Sequence, residues 1–529
     1  MISKGWIISL VVASAALAAV LGLANLTMGE LNQDEGWYLY AAGQVAQGHY
    51  PYKDFAFTQA PALPFVYALA QPLVDRYGIA GGRLFTMKMG FIGALLAAWL
   101  AARLAPKGWG TAAGLLAFML IAVNVYQSYF TTVVKTYALC GLFLAAGFLA
   151  LSYMKEKGRL WPAFVAGLLL ACAAGTRISA GAALAVGGFY LLLNRKQLGD
   201  AAWLAFGVGG VAGLCVIFLP WYIVARDGFL FGVVQYHSAR SAGGLVSALV
   251  YKCGFISRLV QAYYLPVALG LLVMFARWIK PVATGPGPRL SVAIWTAVAL
   301  VSIVHFTAPF PYDDYEVPLY PLFCAALAVA GVRWLDGLSD AGLPKPRLAT
   351  GVLVTVLLLC TASSFSSQIN QNWMTLGRDR IWWKLRKQPV MKELKFAADV
   401  IRSSSKPGDL LLTQDTYLAV ESGRSVPRGL EMGPFSYFQD LPRDRAERIH
   451  VVNREMMTEL LRTTPATVAA FSGYSLSIRS PEVEELSADE QETLWAAVRE
   501  RYGDIAEFSS FGQGATTLKI MFLMKGAPP

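Results

Sequence analysis

The sequence predicts a mainly α-helical membrane protein that carries a water-soluble α/β domain at its C-terminal end. Three observations lead to this fold class. Hydrophobic residues make up 56% of the 529 residues and charged residues only 15%, with a mean hydropathy of +0.47. Apolar segments of roughly 17 to 25 residues, the length that crosses a bilayer core, recur from Ile7 to Phe365. After Phe365 the sequence becomes mixed, charged and polar, which is typical of a soluble domain.

About eleven apolar segments are candidate transmembrane helices. They lie near residues 6–28, 82–104, 110–127, 133–153, 160–176, 178–193, 201–224, 260–276, 291–308, 317–334 and 349–365. Lys and Arg near the ends of spans are retained on the cytoplasmic side of a membrane. The links on one side carry Arg103, Lys107, Lys155, Lys157, Arg159, Arg195, Lys196, Arg277, Lys280, Arg333, Lys345 and Arg347.

These cations predict that the N-terminus lies inside, so an odd number of spans places everything after the last one outside. The predicted domains are a transmembrane domain over residues 1–365 and an extracytoplasmic soluble domain over residues 366–529. A first outer loop follows the first span, at about residues 29–81. We therefore expect a multi-pass protein whose functional site and C-terminal domain face the outer side.

Residues 366–529 alternate helical and strand-like patterns. Helical apolar spacing is present at 390–405, 451–464 and 487–502, the last with a capping serine, Ser487. A strand-like segment lies at 409–413, an apolar segment at 465–471 and a closing strand at 516–524. This alternation predicts a partly parallel sheet. A glycine-rich phosphate loop between strand and helix is missing, so a nucleotide site is not expected there.

The net charge of +11 belongs to the membrane part, because residues 366–529 contain 21 basic and 21 acidic residues. An excess of Lys and Arg among membrane spans is explained by the orientation of the spans and by binding of an anionic lipid headgroup better than by binding of nucleic acid. No nucleic-acid partner is therefore expected. The six cysteines show neither a disulfide framework nor metal-ligand spacing.

Acidic residues are concentrated in the first outer loop, at the membrane boundary. Asp34 and Glu35 are adjacent in "LNQDEGWYLYAAGQVAQGHYPYKDF", and Asp54 follows among aromatic residues that include Tyr38 and Tyr52. An aromatic belt at the interface explains the aromatic residues alone. It does not explain paired carboxylates.

Basic residues recur at the outer ends of other spans, at the depth of lipid phosphates. The candidates for binding a donor phosphate are Arg83, Lys88, Lys135, Arg177 and Arg258, with Arg240 and Lys252 in the same long outer loop as Arg258. The last outer connection, "HFTAPFPYDDYEVPLYPLF", adds Tyr312, Asp313 and Asp314. A carboxylate that accepts a proton beside cations that stabilise a leaving phosphate is the chemistry of group transfer from a lipid phosphate.

The first loop and second span, "DEGWYLYAAGQVAQGHYPYKDFAFTQAPALPFVYAL…GGRLFTM", resemble the GT-C class of membrane glycosyltransferases. The likeness is to bacterial relatives of protein O-mannosyltransferases and of the lipid A aminoarabinose transferase. It implies transfer of a sugar, with inversion, from a polyprenyl-phosphate donor to an extracytoplasmic glycan, lipid or protein acceptor at a bacterial inner membrane.

The resemblance also implies roles for individual residues. Asp34 matches the catalytic base with Glu35 as its neighbour, and Arg83 matches a basic position near the donor phosphate. Loop residues would shape the sugar pocket, and Gln59 stands where relatives often have His or Lys. No metal is assigned, although some branches use a divalent cation. A noncatalytic polyprenyl-lipid-binding protein and a secondary transporter are the alternative functions.

Overall fold

The fold was analysed in a computed structural model, which describes residues 2–154, 159–241, 243–279, 290–339, 344–366 and 388–526. Long apolar helices dominate up to Phe365, and a small mixed sheet with its own helices follows from Val390. Of the cations that predict the orientation, Lys155, Lys157 and Lys280 lie outside the described residues. The predicted domain boundary at residue 366 adjoins residues 367–387, which also lie outside them.

An apolar helix is present at each of the eleven predicted spans. These helices are α1 (Lys4–Met28), α5 (Ile79–Leu104), α6 (Gly110–Ala122), α8 (Thr136–Leu151), α9 (Trp161–Thr176), α10 (Gly181–Leu193), α12 (Asp200–Val224), α16 (Tyr264–Ile279), α17 (Leu290–Thr307), α18 (Tyr320–Ser339) and α19 (Lys345–Phe365). Six of them are long and apolar enough to cross a membrane, and the other five are shorter apolar helices. The mainly α membrane fold is confirmed, whereas the number of spans stays a prediction.

Residues 245–262 were predicted to belong to an outer loop, but they form the helix α15 (Leu245–Ala262). Among the described residues this helix is a seventh candidate span. Its apolar residues alternate with polar ones at helical spacing, which is why it was not recognised as a span. Lys252 on α15 donates hydrogen bonds to the carbonyls of Phe306 and Ala308, so this helix packs on the end of α17.

Short elements connect the long helices on the side where the site lies. They are α2 (Gln33–Ala46), α3 (Ala62–Ala68), α4 (Gln71–Tyr77), α7 (Val125–Phe130), α13 (Arg226–Leu230), α14 (Tyr236–Ser238) and two 3-10 turns, Ile178–Ala180 and Asp313–Glu316, with α11 (Arg195–Leu198) in another link. The helix α2 begins in a capping box, in which the Asn32 side chain accepts from the Asp34 amide and the Glu35 side chain accepts from the Asn32 amide. This box fixes where the helix starts.

Residues 388–526 form a mixed sheet flanked by helices. The strands are β1 (Leu411–Leu412), β2 (Val468–Phe471), β3 (Ile478–Arg479), β4 (Glu484–Glu485), β5 (Tyr502–Phe511) and β6 (Thr516–Leu523). The helices are α20 (Val390–Ser403), α21 (Thr416–Ser422), α22 (Arg443–Arg448), α23 (Arg454–Thr463) and α24 (Ala488–Arg499). The main sheet has the order β1-β2-β6-β5, with β1 and β2 parallel and the other pairs antiparallel. A partly parallel sheet is thus present, and Ser487 caps α24 as expected.

The C-terminal domain packs directly on α2, and Gly36 permits this close approach. A Cβ atom at Gly36 would lie 2.4 Å from the amide nitrogen of Tyr417 and 2.7 Å from the Thr416 hydroxyl oxygen. The Tyr40 hydroxyl also accepts a hydrogen bond from the Val426 amide at 3.1 Å. One apolar core runs from the first loop into the sheet without interruption.

We expect Gly36→Ala to destabilise the protein by about 1–3 kcal/mol, because the added methyl group meets backbone atoms that cannot rotate away. Gly43→Ala on the same helix is the matched control, since a Cβ there first meets the Gln71 side chain at 3.6 Å, an ordinary contact. Thermal unfolding in detergent measures both variants. Equal melting temperatures for the two would contradict the close packing of α2 on the C-terminal domain.

Candidate active site

Asp34 lies at the first turn of α2, with its side chain about one quarter exposed (28%). Its Oδ1 atom accepts a hydrogen bond from the Trp37 indole at 3.2 Å, and its Oδ2 atom lies 3.2 Å from the Lys135 ammonium. One carboxylate edge is thus oriented by α2 itself and the other by a residue at the start of α8. This leaves a partly accessible carboxylate with a defined position.

Lys135 links the first loop to the last outer connection. Its ammonium lies 2.8 Å from Asp314 Oδ2 as well as 3.2 Å from Asp34 Oδ2, and it faces the rings of Phe130 and Tyr137, each centred 5.3 Å away. The Lys135 side chain is only 7% exposed, so burial strengthens these attractions relative to water. The ammonium therefore holds two carboxylates together.

Asp313 forms a separate ion pair next to this one. Its Oδ1 atom accepts from Arg258 Nε at 2.8 Å, and its Oδ2 atom accepts from the Tyr126 hydroxyl. Burial, followed by repulsion from Asp314, raises the pKa of the Asp313 carboxyl, while the Tyr126 and Arg258 contacts oppose that shift. Arg258 thus neutralises an acid of the site.

Arg177 and Arg240 differ from these paired cations. Arg177 lies over the rings of Tyr315 and Tyr137, at 4.4 and 5.1 Å from their centroids, and Arg240 lies 4.2 Å from the centroid of Phe310. Arg240 also donates to the Tyr315 hydroxyl at 3.3 Å, so both guanidinium groups contact one tyrosine. In the described part of the chain neither forms an ion pair with a carboxylate, and the Nε atom of each is buried with no hydrogen-bond partner.

His237 lies between Arg240 and the first loop. Its Nε2 atom is 3.0 Å from the carbonyl of Thr58, so this nitrogen carries the ring proton. Burial, with a contribution from Arg240, lowers the pKa of His237 to about 4. The ring is therefore neutral near pH 7 and its Nδ1 atom is a hydrogen-bond acceptor.

The charged residues described above and His237 line one cavity of about 1020 Å³. It lies where the outer connections of the helix bundle meet the first loop, and the C-terminal domain contributes Phe435, Tyr474, Val483 and Gln513 to its wall. Four cations, Lys135, Arg177, Arg240 and Arg258, line it against three carboxylates, Asp34, Asp313 and Asp314. The cavity is large enough for a sugar phosphate and carries an excess of positive charge.

The structure brings nine of the predicted site residues to this cavity. They are Asp34, Tyr38, Gln59, Lys135, Arg177, Arg258, Tyr312, Asp313 and Asp314. Their sequence positions are far apart, and only the folding of the helix bundle brings them together. Five others are placed elsewhere: Glu35, Arg83, Lys88, Tyr52 and Asp54.

Glu35 and Arg83 form a fully buried ion pair, with both side chains 0% exposed. Arg83 donates to both carboxylate oxygens of Glu35, at 2.8 and 2.5 Å, and to the carbonyls of Gly29 and Glu30 at 2.9 and 2.7 Å. Each of the three guanidinium nitrogens of Arg83 thus donates to a carboxylate or carbonyl oxygen of the protein. The pair fastens α2 and α5 to the end of α1, and neither residue lines the cavity, so we propose a structural role for both instead of the predicted roles beside the base and at the phosphate.

Three further predicted residues have local roles or lie on the surface. Tyr52 is buried and donates to the Gln59 carbonyl, which shapes the loop, and the Asp54 carboxylate accepts from the Tyr50 amide at 2.7 Å to close a turn. Lys88 is exposed on α5. All three lie outside the cavity, so its lining gives no support to the predicted roles in substrate binding for Tyr52 and Asp54 and in phosphate binding for Lys88.

Sequence reasoning did not assign several residues that line the cavity. They are Trp37, Thr58, Tyr126, Tyr137, Ser179, His237, His305, Tyr315 and the four residues of the C-terminal domain, while Arg240 had been noted only as part of the long outer loop. A signal existed for the histidines, because the chain contains only 4 and such residues near membrane boundaries are uncommon. The C-terminal residues carried no recognisable signal.

The acids of the cavity do not fit a divalent cation. Within the described ranges, no group of three or more His, Cys, Asp or Glu side chains is placed to hold a metal ion. The Lys135 ammonium occupies the space between Asp34 and Asp314, where such an ion would need both carboxylates.

No family model and no curated protein sequence matches this chain. Solved structures do match it. The structure of ArnT from Cupriavidus metallidurans bound to undecaprenyl phosphate is similar with a TM-score of 0.62 and 16% identity, over 98% of this chain and 98% of that one. The apo ArnT structure gives 0.60 and 16%, over 96% and 97%. The Archaeoglobus fulgidus oligosaccharyltransferase gives 0.49 and 12%, over 100% and 75%. The ArnT likeness confirms the predicted GT-C-like fold.

Proposed function

We propose that this chain is a membrane glycosyltransferase that moves a sugar from a polyprenyl-phosphate donor to an acceptor on the outer side of a bacterial inner membrane. One observation carries the proposal. A partly accessible carboxylate, Asp34, shares a cavity with two arginines, Arg177 and Arg240, that form no ion pair in the described part of the chain.

Arg177 and Arg240 are the proposed ligands of the donor phosphate. A buried guanidinium Nε without an acceptor is costly unless an anion completes it, and Arg recognises phosphate with several donors in a fixed plane. The aromatic rings beside both groups hold the guanidinium planes at the cavity wall. Lys135 and Arg258, by contrast, are already paired with acids, so their main role is to orient Asp34, Asp313 and Asp314.

Asp34 is the proposed general base. It accepts the proton of an acceptor hydroxyl or amine as that group attacks the anomeric carbon, while the bond from this carbon to the phosphate oxygen breaks. The phosphate keeps the bonding electrons, and Arg177 and Arg240 stabilise its charge. Attack from the face opposite the leaving phosphate inverts the anomeric centre.

The rest of the proposal concerns the membrane. The mid-length and long apolar helices support a multi-pass protein, and the cations of the links on one side support a cavity on the outer face. The ArnT structure with a similar fold contains undecaprenyl phosphate, which supports a polyprenyl phosphate as the lipid part of the donor. Membrane lipids surround the helices, and the acceptor is a molecule of the cell envelope.

Binding of undecaprenyl phosphate to the protein in lipid nanodiscs, measured by native mass spectrometry, tests the phosphate site. We expect Arg177→Gln and Arg240→Gln each to weaken binding by roughly 10- to 100-fold, the value of a charge-assisted hydrogen bond. Lys88→Gln is the control, because Lys88 lies outside the cavity. Equal binding by all three variants and the wild type would place the phosphate elsewhere and remove the basis of the proposal.

A further inference from the structure

A second polar network lines the cavity two residues after Arg177. The Ser179 hydroxyl lies 2.8 Å from His305 Nε2, and His305 Nδ1 lies 2.9 Å from Glu316 Oε1. The other oxygen of Glu316 accepts from the Ser302 hydroxyl at 2.6 Å. Ser179 and His305 line the cavity, while Glu316 is behind them and nearly buried, so the network runs from the wall into the protein.

The hydrogen-bond directions in this network follow from its inner end. The Glu316 carboxylate accepts two hydrogen bonds, so His305 carries a proton on Nδ1, the nitrogen that faces it. In the neutral ring Nε2 is then an acceptor, and the proton between Ser179 and His305 belongs to the serine. Ser179 thus donates inward, and the lone pairs of its oxygen remain for the cavity.

We infer that Ser179, oriented by His305 and Glu316, is a subsite that accepts a hydrogen bond from a hydroxyl group of the transferred sugar. The inference rests on the proposed function. A chain of hydrogen bonds that ends on a carboxylate polarises each member, which makes the serine oxygen a better acceptor than an isolated hydroxyl. The site therefore selects a ligand group that brings its own proton.

The position of Ser179 indicates that this group belongs to the donor rather than the acceptor. Arg177, the proposed phosphate ligand, is in the same turn of chain, and its guanidinium lies 3.4 Å from the Thr136 hydroxyl. Thr136 adjoins Lys135, which contacts Asp34. Arg177, Ser179 and Asp34 all line one cavity, and Ser179 follows Arg177 by two residues, so we place the sugar of a donor held at Arg177 beside Ser179.

The charge of the cavity indicates a neutral hydroxyl rather than an ammonium group. Arg177 lies two residues before Ser179 in the chain, and four cations line the cavity against three carboxylates. Glu316, the acid of this network, already accepts from His305 and Ser302, so an ammonium group at Ser179 would meet the excess of positive charge without a free oxygen on this carboxylate. The sugar class that fits is therefore a neutral one.

A serine, a histidine and an acid in this order also resemble a nucleophilic triad, but the neighbouring backbone argues against that role. Stabilising an oxyanion needs free N–H groups beside the serine. Here the Ala180 amide donates to the Arg177 carbonyl at 2.9 Å, and the Gly181 amide donates to the carbonyls of Ile178 and Ser179. The turn uses these donors itself, so the geometry favours binding over a covalent step.

The test compares two probes by native mass spectrometry of the full chain in nanodiscs: undecaprenyl phosphate, and undecaprenyl phosphate that bears one neutral hexose. We expect the wild type to bind the hexose-bearing lipid more tightly. Ser179→Ala should weaken binding of that lipid by about 3- to 10-fold, the value of one neutral hydrogen bond, and leave undecaprenyl phosphate unaffected. Ser179→Thr, which keeps the hydroxyl, should restore the difference.

Thr296→Val is the control, because Thr296 is on the same helix as His305, lies outside the cavity and donates its hydroxyl to the Val292 carbonyl. Equal weakening of both lipids by Ser179→Ala would show a structural role only and overturn the subsite. So would tighter binding of an amino-sugar lipid by the wild type, or His305-dependent labelling of Ser179 by a fluorophosphonate. A wild type that binds neither lipid overturns the proposed function itself, whereas binding that does not depend on Ser179 overturns only this inference.

Discussion

Replacing Asp34 by asparagine should abolish sugar transfer, with a loss of about 10²- to 10⁴-fold, the usual contribution of a general base. The amide keeps the size of the carboxylate and can still accept from the Trp37 indole, so the start of α2 should be preserved. Because the phosphate ligands are on other elements, binding of undecaprenyl phosphate should stay within about threefold of wild type. Consumption of a polyprenyl-phosphate sugar in cell-envelope vesicles, followed by mass spectrometry, measures the loss.

Asp54→Asn provides the matched control for this prediction. It removes the charge of another first-loop acid, one that accepts from the Tyr50 amide and does not line the cavity. We expect this variant to retain transfer. If Asp34→Asn transferred sugar as fast as Asp54→Asn, the assignment of Asp34 as the base would be refuted, whereas the fold and the phosphate site would be unaffected.

Replacing Arg83 by methionine should destabilise the protein by about 3–5 kcal/mol, the cost of leaving one partner of a buried ion pair uncompensated. Glu35 would remain as a buried carboxylate, and the carbonyls of Gly29 and Glu30 would lose their donor. Most of the protein should then fail to fold at ordinary growth temperature, since total stabilities are of this order. Yield of folded protein and the melting temperature in detergent report the effect.

The double variant Arg83→Met/Glu35→Gln separates this role from a role in phosphate binding. Removal of both charges should recover part of the lost stability, because no unpaired buried charge remains. Arg76→Met, at an exposed arginine just before α5, should change stability by less than about 0.5 kcal/mol. A stable Arg83→Met protein with weakened lipid-phosphate binding would instead restore Arg83 to the donor site.

The helices were largely predictable because the requirement to cross a bilayer gives long apolar segments an unambiguous signal. The helix α15 was not predicted. Polar residues recur at helical spacing among its apolar residues, so its sequence resembles an outer loop with scattered charges. In the C-terminal domain the strand β5 was also missed, because its residues are largely exposed and lack an apolar pattern.

The kinds of residue that line the cavity were predictable from the sequence, but only some of the individual residues were. The charged residues that line the cavity lie near the ends of helices, and nine of the predicted residues are among its lining residues. Sequence position does not tell whether a charge points into the cavity or into the chain. Asp34 and Glu35 are neighbours, yet the helical turn between them directs one to Lys135 and the other to Arg83.

The join between the first loop and the C-terminal domain has a consequence for how the cavity is completed during folding. The Gln33 side chain, next to Asp34, donates to Asp415 at 2.8 Å across 382 residues of sequence, and Gln513 accepts from the Gln33 amide at 3.1 Å. A ribosome-bound chain that has already inserted its helices has neither contact and lacks one wall of the cavity. The cavity is therefore complete only once residues 388–526 have folded against the first loop.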